Sequence, residues 1–239
     1  VLVPRYLRLP VRGRIAADAT ELAPLVLEDV AAAGRVFSEE GVESVAVCLF
    51  NSFLDGAHER AAGKRLAESW SGQWVSLSSD VMPTMGEYER GSTAVVNAYI
   101  APKVTSYLRA LDEQLRQLGL PRSLLLLQSN GGAVSVGQVA SRPVMLVLSG
   151  PAAGVGALKG CAAPGEAANL ISMEIGGTSC DVMVMAKGEV PVTDALTIDG
   201  YHLTTPSVEI HTVGAGGGAI AWVDDAGLLH VGPRGAGAR

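Results

Sequence analysis

The sequence predicts an α/β protein, and three observations carry that reading. Short apolar runs alternate with helical stretches in the first half, the pattern of strands joined through helices and packed as a largely parallel sheet. Several of those runs end in turns built from Gly, Ser, Thr and Asn, as strands do when they deliver ligand-binding loops. The 239 residues are 48% hydrophobic and only 18% charged. That suits a folded chain with a sizeable core, arranged as one large or two small domains.

Taken in order, the first strand is expected at Val45 to Leu49, followed by a helix from about Gly56 to Trp70 rich in Ala, Glu, Lys and Arg. Trp74 to Ser78 reads as the next strand, and Glu87 to Arg90 as a charged patch. From Thr93 to Leu118, apolar residues recur at three- and four-residue spacing, which predicts the longest helix. Pro102 should kink or divide it, and Gly119 should stop it. Leu124 to Leu127 reads as a strand ending in Gln128-Ser-Asn-Gly-Gly132. Val144 to Leu148 reads as another, ending in Ser149-Gly-Pro-Ala-Ala-Gly154 and a helix to about Lys159. The small-residue stretch Gly160 to Ala168 is the expected domain boundary, giving domains of residues 1–160 and 161–239. Beyond it, Asn169 to Met173 and Val182 to Met185 read as buried strands. A strand near Ser207 to Val213 then leads through Gly214-Ala-Gly-Gly-Gly218 into a helical Ala219 to Val223.

Composition limits the partners. A net charge of −6 and a pI near 5.2 argue against nucleic acid. Aromatics at 5% favour close-packed helices and backbone-lined sites over an aromatic stacking platform. No apolar run reaches the roughly 18 residues of a membrane helix, and no charged segment leads into an apolar signal. Cys48, Cys161 and Cys180 form no CxxC pair, so neither a disulfide framework nor a thiolate zinc site is indicated, and a reducing cytoplasm fits best. Cys180 reads as a small semi-buried filler. The chain opens on Val1 and stops on Gly235-Ala-Gly-Ala-Arg239, and so reads as a piece of a longer protein.

The segment Glu174-Ile-Gly-Gly-Thr-Ser-Cys-Asp181 concentrates the chemistry. Gly176 and Gly177 let a backbone bring its N–H groups against a phosphate with no Cβ in the way. Thr178 and Ser179 add hydroxyls, and Glu174 and Asp181 are placed to hold a divalent cation directly or through water. The plainer alternative is a β-hairpin with a Gly-Gly turn. Four such turns, at Ser129, Ser149, Gly176 and Gly214, follow apolar runs. Two of them, at Ser149 and Gly214, are expected to open helices, whose N-termini attract phosphate. Together they point to a nucleotide site.

No GxxxxGK[ST] and no GxSxG occur. Gly214, Gly216 and Ala219 satisfy G-x-G-x-x-G/A, but too little sequence follows for a full dinucleotide unit. His211 is read either as a metal or substrate contact or as a hydrogen-bonded strand histidine.

Six segments carry a resemblance: Glu87-Tyr-Glu-Arg-Gly-Ser-Thr93, Asn97-Ala-Tyr99, Gln128 to Gly132, Ser149 to Gly154, Gly176 to Asp181 and His211 to Gly218. In that order they resemble the hydantoinase A/oxoprolinase family, across nearly the whole chain. The resemblance implies the actin/Hsp70/sugar-kinase-like ATPase fold, here incomplete, with parts of two related domains that close over ATP and a divalent cation, Mg or Mn. It implies an ATP-dependent hydrolase of hydantoin- or 5-oxoproline-type cyclic amides, which activates the ring carbonyl by phosphorylation. It also implies a partner subunit of the hydantoinase B type. A ketone carboxylase subunit of the same fold and a non-catalytic nucleotide- or partner-binding module are the alternatives.

Carried over by position, Gly176, Gly177, Thr178 and Ser179 look like the second phosphate loop. Gly216, Gly217 and Gly218 look like a glycine turn near the nucleoside, with Gly214 before them a further expected cofactor contact, and Ser149 to Gly154 looks like the start of the helix crossing between domains. Glu174 and Asp181 are the expected cation ligands, with Asp181 also the expected catalytic residue. Two positions depart from the family pattern: Glu174 stands in place of Asp, and Cys180 in place of Thr. The family's Asp-x-Gly-Gly-Thr loop is absent, so residues 1–239 are expected to be inactive alone.

Overall fold

Two parallel strands sandwiched between helices organise the first half of the chain, in a computed structural model that describes residues 2–161 and 168–237. Contacts divide the chain into two units. The first comprises residues 1–126, 133–147 and 194–205, and the second residues 127–132, 148–193 and 206–239. The expected boundary stretch at 160–168 lies largely outside the described residues.

In the first unit, β1 (Arg14–Ile15) and β2 (Glu21–Ala23) pair antiparallel ahead of α1 (Leu27–Glu39). Strand β3 (Ser44–Val47), helix α2 (Ala57–Ser69) and β4 (Trp74–Leu77) form the expected βαβ unit, in parallel register from Ser44↔Trp74 to Val47↔Leu77. Side chains alternate along a strand. Val45 and Val47 therefore share one face, where they pack with Val30, Ala33 and Phe37 of α1 and Ala62 and Leu66 of α2. Ser76 faces the other way, toward the long helix α4, which follows the short α3 (Ser78–Val81).

Helix α4 (Glu87–Gln117) starts earlier than its apolar period suggested and takes in the charged patch. It continues through Pro102, so the expected division does not occur. Its end is as expected: Gly119 N–H bonds Arg116 O at 2.9 Å and Leu120 N–H bonds Leu115 O at 3.0 Å, a Schellman closure. The buried row of α4 is unusually polar, with Arg90, Thr93, Asn97 and Thr105 each at most 1% exposed. Asn97 Nδ2 donates to Ser76 Oγ and Ser141 O at 3.0 and 3.2 Å, and its Oδ1 accepts from Val144 N–H at 3.1 Å.

Strand β5 (Leu125–Leu127) forms a hairpin with β6 (Ala133–Ser135), which leads into α5 (Val136–Val139). The strand expected at Val144 to Leu148 is instead a 3-10 turn over Pro143–Leu146. Its apolarity reflects burial, since Val144 is fully buried against Val81 and Leu203, and short apolar runs do not distinguish strand from turn.

The second unit contains α6 (Ser149–Ala152) and α7 (Gly154–Cys161), where one helix was expected, followed by β7 (Leu170–Ile175) and β8 (Cys180–Met185). These strands pair antiparallel, and β11 (His211–Val213) joins the other edge of β8, also antiparallel. The inner face carries Met183 and Met185, packed with Ala152 and Leu158. The expectation of fully buried strands holds for one face only, because Ile171, Met173 and Ile175 on the other face are each at least 65% exposed.

Strands β9 (Val192–Ile198) and β10 (Tyr201–Val208) form a hairpin missed in the sequence. Its turn is Asp199-Gly200, both at positive φ, the usual chemistry of a two-residue hairpin. The segment expected to be helical at Ala219 to Val223 is strand β12 (Ala219–Val223), paired antiparallel with β13 (Leu229–Gly235). The turn at Gly214 therefore leads into a strand, and no helix N-terminus lies there. Among the described residues parallel pairing is confined to β3 and β4.

Candidate functional site

The tip of the β7–β8 hairpin is built from Gly176, Gly177, Thr178 and Ser179. Register places Ile175 opposite Cys180 and Glu174 opposite Asp181. Gly176 N–H donates to Ser179 O at 2.9 Å and closes the tip. Among the described residues the amides of Gly177, Thr178 and Ser179 have no acceptor.

The tip's carbonyls are engaged instead. Gly216 N–H donates to Thr178 O at 3.2 Å, Gly217 N–H to Gly176 O at 2.8 Å and Gly218 N–H to Gly177 O at 2.8 Å. A second glycine turn thus supports the first, carbonyl by carbonyl. The approach is too close for a side chain: a Cβ on Gly216 would lie 2.6–2.7 Å from three backbone atoms of residues 176–179. Gly214 lies against Pro233 of β13, outside this bonding. The consequence is polarised: three free N–H dipoles remain on a tip whose acceptors are already used, which suits an anion.

One row of side chains runs across the three strands beneath the tip: Glu174 on β7, Asp181 on β8 and Thr212 on β11. Thr212 Oγ1 donates to Asp181 Oδ1 at 2.6 Å. The Glu174 carboxylate occupies the space beside Gly154, the first residue of α7, where any Cβ would overlap it and Met183. Among the described residues the Glu174 carboxylate accepts no hydrogen bond, and no group of three His, Cys, Asp or Glu gathers as a metal site. Two carboxylates and a hydroxyl are hard oxygen donors, fitting Mg²⁺ or Mn²⁺ better than a soft metal.

The other expected residues fall as follows. Cys180 is buried at 6% exposure, a filler. His211 lies one residue from Thr212 and pairs with Val182, so its side chain stands on the opposite face from the acids. The turn Gln128 to Gly132 packs within the same unit: Ser129 O accepts from Val208 N–H at 2.8 Å, and Gly131 approaches Val155. Sequence reasoning singled out His211 and gave no role of their own to Thr212 and Gly154, which it named only within the segments His211 to Gly218 and Ser149 to Gly154. Strand parity was the available signal for Thr212, since only alternate residues of β11 face the acids. Nothing local marks Gly154, because its role depends on which side chain arrives beside it.

The chain matches the hydantoinase/oxoprolinase family over residues 90–239 and that family's N-terminal region over residues 1–70. The caprolactamase alpha subunit of Pseudomonas jessenii is 36% identical over 238 residues, 100% of this chain and 34% of that protein. The crystal structure of ATP-dependent caprolactamase from the same organism has a TM-score of 0.87, covering 100% of this chain and 34% of that one. Acetone carboxylase, in a nucleotide-free structure, is 25% identical with a TM-score of 0.78, covering 95% of this chain and 32% of that one. The 5-oxoprolinase of Saccharomyces cerevisiae is 32% identical over 83% of this chain and 15% of its own length. The chain thus spans about a third or less of these relatives. On the family match, spanning most of its length, this chain belongs to the hydantoinase/oxoprolinase family.

Proposed function

We propose that this chain is a portion of an ATP-dependent hydrolase of cyclic amides, with the actin/Hsp70/sugar-kinase-like ATPase fold. The observation that carries the reading is the pairing of three unbonded amides at Gly177, Thr178 and Ser179 with the carboxylates of Glu174 and Asp181 one strand-turn below. Similarity to an ATP-dependent caprolactamase and a 5-oxoprolinase supports the substrate class.

ATP would supply a phosphoryl group to the ring carbonyl oxygen and so activate that carbon toward water; the ring C–N bond would break with the nitrogen leaving as the amine, and hydrolysis of the remaining acyl phosphate would release inorganic phosphate. This chain's residues bind and orient. The free amides meet phosphate oxygens and offset their charge without reorganising. Gly216, Gly217 and Gly218 act as a scaffold that keeps the tip in its donating geometry. Glu174 and Asp181 would hold the divalent cation, with Thr212 fixing the orientation of Asp181. A hydantoinase B-type subunit or domain completes the assembly.

The test uses the intact parent protein. Asp181→Asn is expected to cut divalent-cation-dependent ATP turnover by a factor of 100 or so with an unchanged melting curve, and unchanged turnover at saturating Mg²⁺ would remove Asp181 from the site. The similarity to acetone carboxylase favours a second reading, a ketone carboxylase subunit. ATP turnover stimulated by hydantoins, lactams or 5-oxoproline supports the first, and stimulation by ketones with bicarbonate the second.

A further inference from the structure

Among the described residues strand β4 is paired on one edge only. Its register with β3 uses that edge from Trp74 to Leu77, and in a parallel pair alternate residues turn their N–H and C=O groups to the opposite edge. Among the described residues no backbone group of 74–77 has a partner there. An unpaired edge is usually covered or blunted by charge and proline. This one instead faces a cleft of about 420 Å³, lined by five consecutive residues, Gln73–Leu77, together with α2, α4 and the segment Ala140–Ser141. Helix α2 covers one face of the sheet and α4 the other, so a cleft lined by both and by the strand lies along the strand's edge. Its walls are low where Gly63 and Ala67 of α2 stand opposite Ala101 of α4.

The charge of the cleft is one-sided. Arg60 and Lys64, a helical turn apart on α2, both line it, against a single acid, Asp80. Arg109 lies 5.8 Å from the ring centre of Trp74 at the start of β4. Among the described residues Lys64 and Arg109 form no ion pair, and Arg60 makes one exposed contact of 3.5 Å with Asp55.

We propose that this cleft receives an extended acidic segment of another polypeptide, added to β4 as a third strand. The main-chain groups of β4 would supply affinity, and Arg60, Lys64 and Arg109 the preference for acidic side chains. The four residues of β4 offer pairing to about four residues of such a segment.

The test uses the intact parent protein and a fluorescein-labelled peptide of alternating glutamate and valine, followed by anisotropy. Three probes are compared: this peptide, its lysine–valine counterpart, and the glutamate–valine peptide with N-methylated amides, which cannot donate to a strand edge. The expected result is saturable binding of the first alone. Binding should weaken at least tenfold in the double variant Arg60→Glu/Lys64→Glu and in Ala67→Trp, an exposed position whose new ring would fill the cleft, with melting curves unchanged. Equal binding of the N-methylated peptide would mean plain charge attraction and overturn strand addition. No binding at millimolar peptide would overturn the proposal. So would a self-associated species in sedimentation that the double variant dissolves, since a second copy would then occupy the edge.

Discussion

The carboxylate of Glu174 lies in the space that the missing Cβ of Gly154 leaves open. One residue has no side chain so that another, on the strand that follows its own helix, can lie against the start of α7. Gly154→Ala should therefore displace Glu174 and disturb Met183, costing about 1–3 kcal/mol. Combining it with Glu174→Ala should recover part of that loss, because the clash is pairwise. Denaturant melts of the four forms measure the coupling, and strictly additive losses would mean that the two side groups do not meet.

Two glycines in adjoining turns should behave oppositely. At Gly216 a Cβ meets backbone 2.6 Å away, so Gly216→Ala should destabilise by about 3 kcal/mol and deprotect the amides of Gly217 and Gly218 in hydrogen exchange. A Cβ at Gly177 meets nothing within 4 Å, so Gly177→Ala should leave stability within about 0.5 kcal/mol. If the free amides bind phosphate, Gly177→Ala should still weaken ATP binding in the parent protein by about tenfold, as the new methyl obstructs the approach. Calorimetric titration beside a melting curve separates the two effects.

Arg90 and Glu59 are both fully buried and meet through Ser78, whose hydroxyl donates to Glu59 at 2.6 Å and accepts from Arg90 Nε at 3.1 Å. Arg90 also donates to Thr84 O and Leu49 O, each at 3.0 Å, while Glu59 accepts from the amides of Leu49 and Ser79, each at 2.8 Å. This network plugs the carboxyl ends of β3 and β4, where an open α/β sheet would otherwise admit a ligand. Arg90→Met should cost about 3–5 kcal/mol by leaving Glu59 buried without a cation. Arg90→Lys should rescue little, because one ammonium cannot reach three acceptors in a fork. Urea melts that show Arg90→Lys to be as stable as the parent would contradict this.

Arg12 holds the Asp29 carboxyl down to about 2 through hydrogen bonds of 2.7 and 2.8 Å from its guanidinium. A depressed carboxyl stabilises the fold above its unfolded value, about 3.9, and that contribution fades as the pH falls toward about 2. Arg12→Ala should raise Asp29 toward the ordinary carboxylate range and remove part of the acid limb, while the residue 12 N–H, which donates to Asp29 at 3.0 Å, keeps the rest. Carbon-detected NMR titration of Asp29 reads the change, and an unmoved titration would show that backbone amides set it.

Local chemistry wrote much of this protein. The βαβ unit, the end of α4 at Gly119 and the β7–β8 hairpin follow from period, capping and turn residues, which act over a few positions. So does the clustering of Gly176 to Ser179 with Glu174 and Asp181, because a hairpin carries its own register. What α4 buries was not legible: Arg90, Thr93 and Asn97 lie in its buried row, where their partners come from up to 111 positions away in the chain. The segments at Val144 and Ala219 were misread because short apolar runs fit strand, turn and helix alike until packing chooses. The two glycine turns looked like independent phosphate loops in one dimension. Only the pairing of β11 with β8 brings them together, turning the amides of Gly216, Gly217 and Gly218 onto the carbonyls of the first turn and leaving free those of Gly177, Thr178 and Ser179.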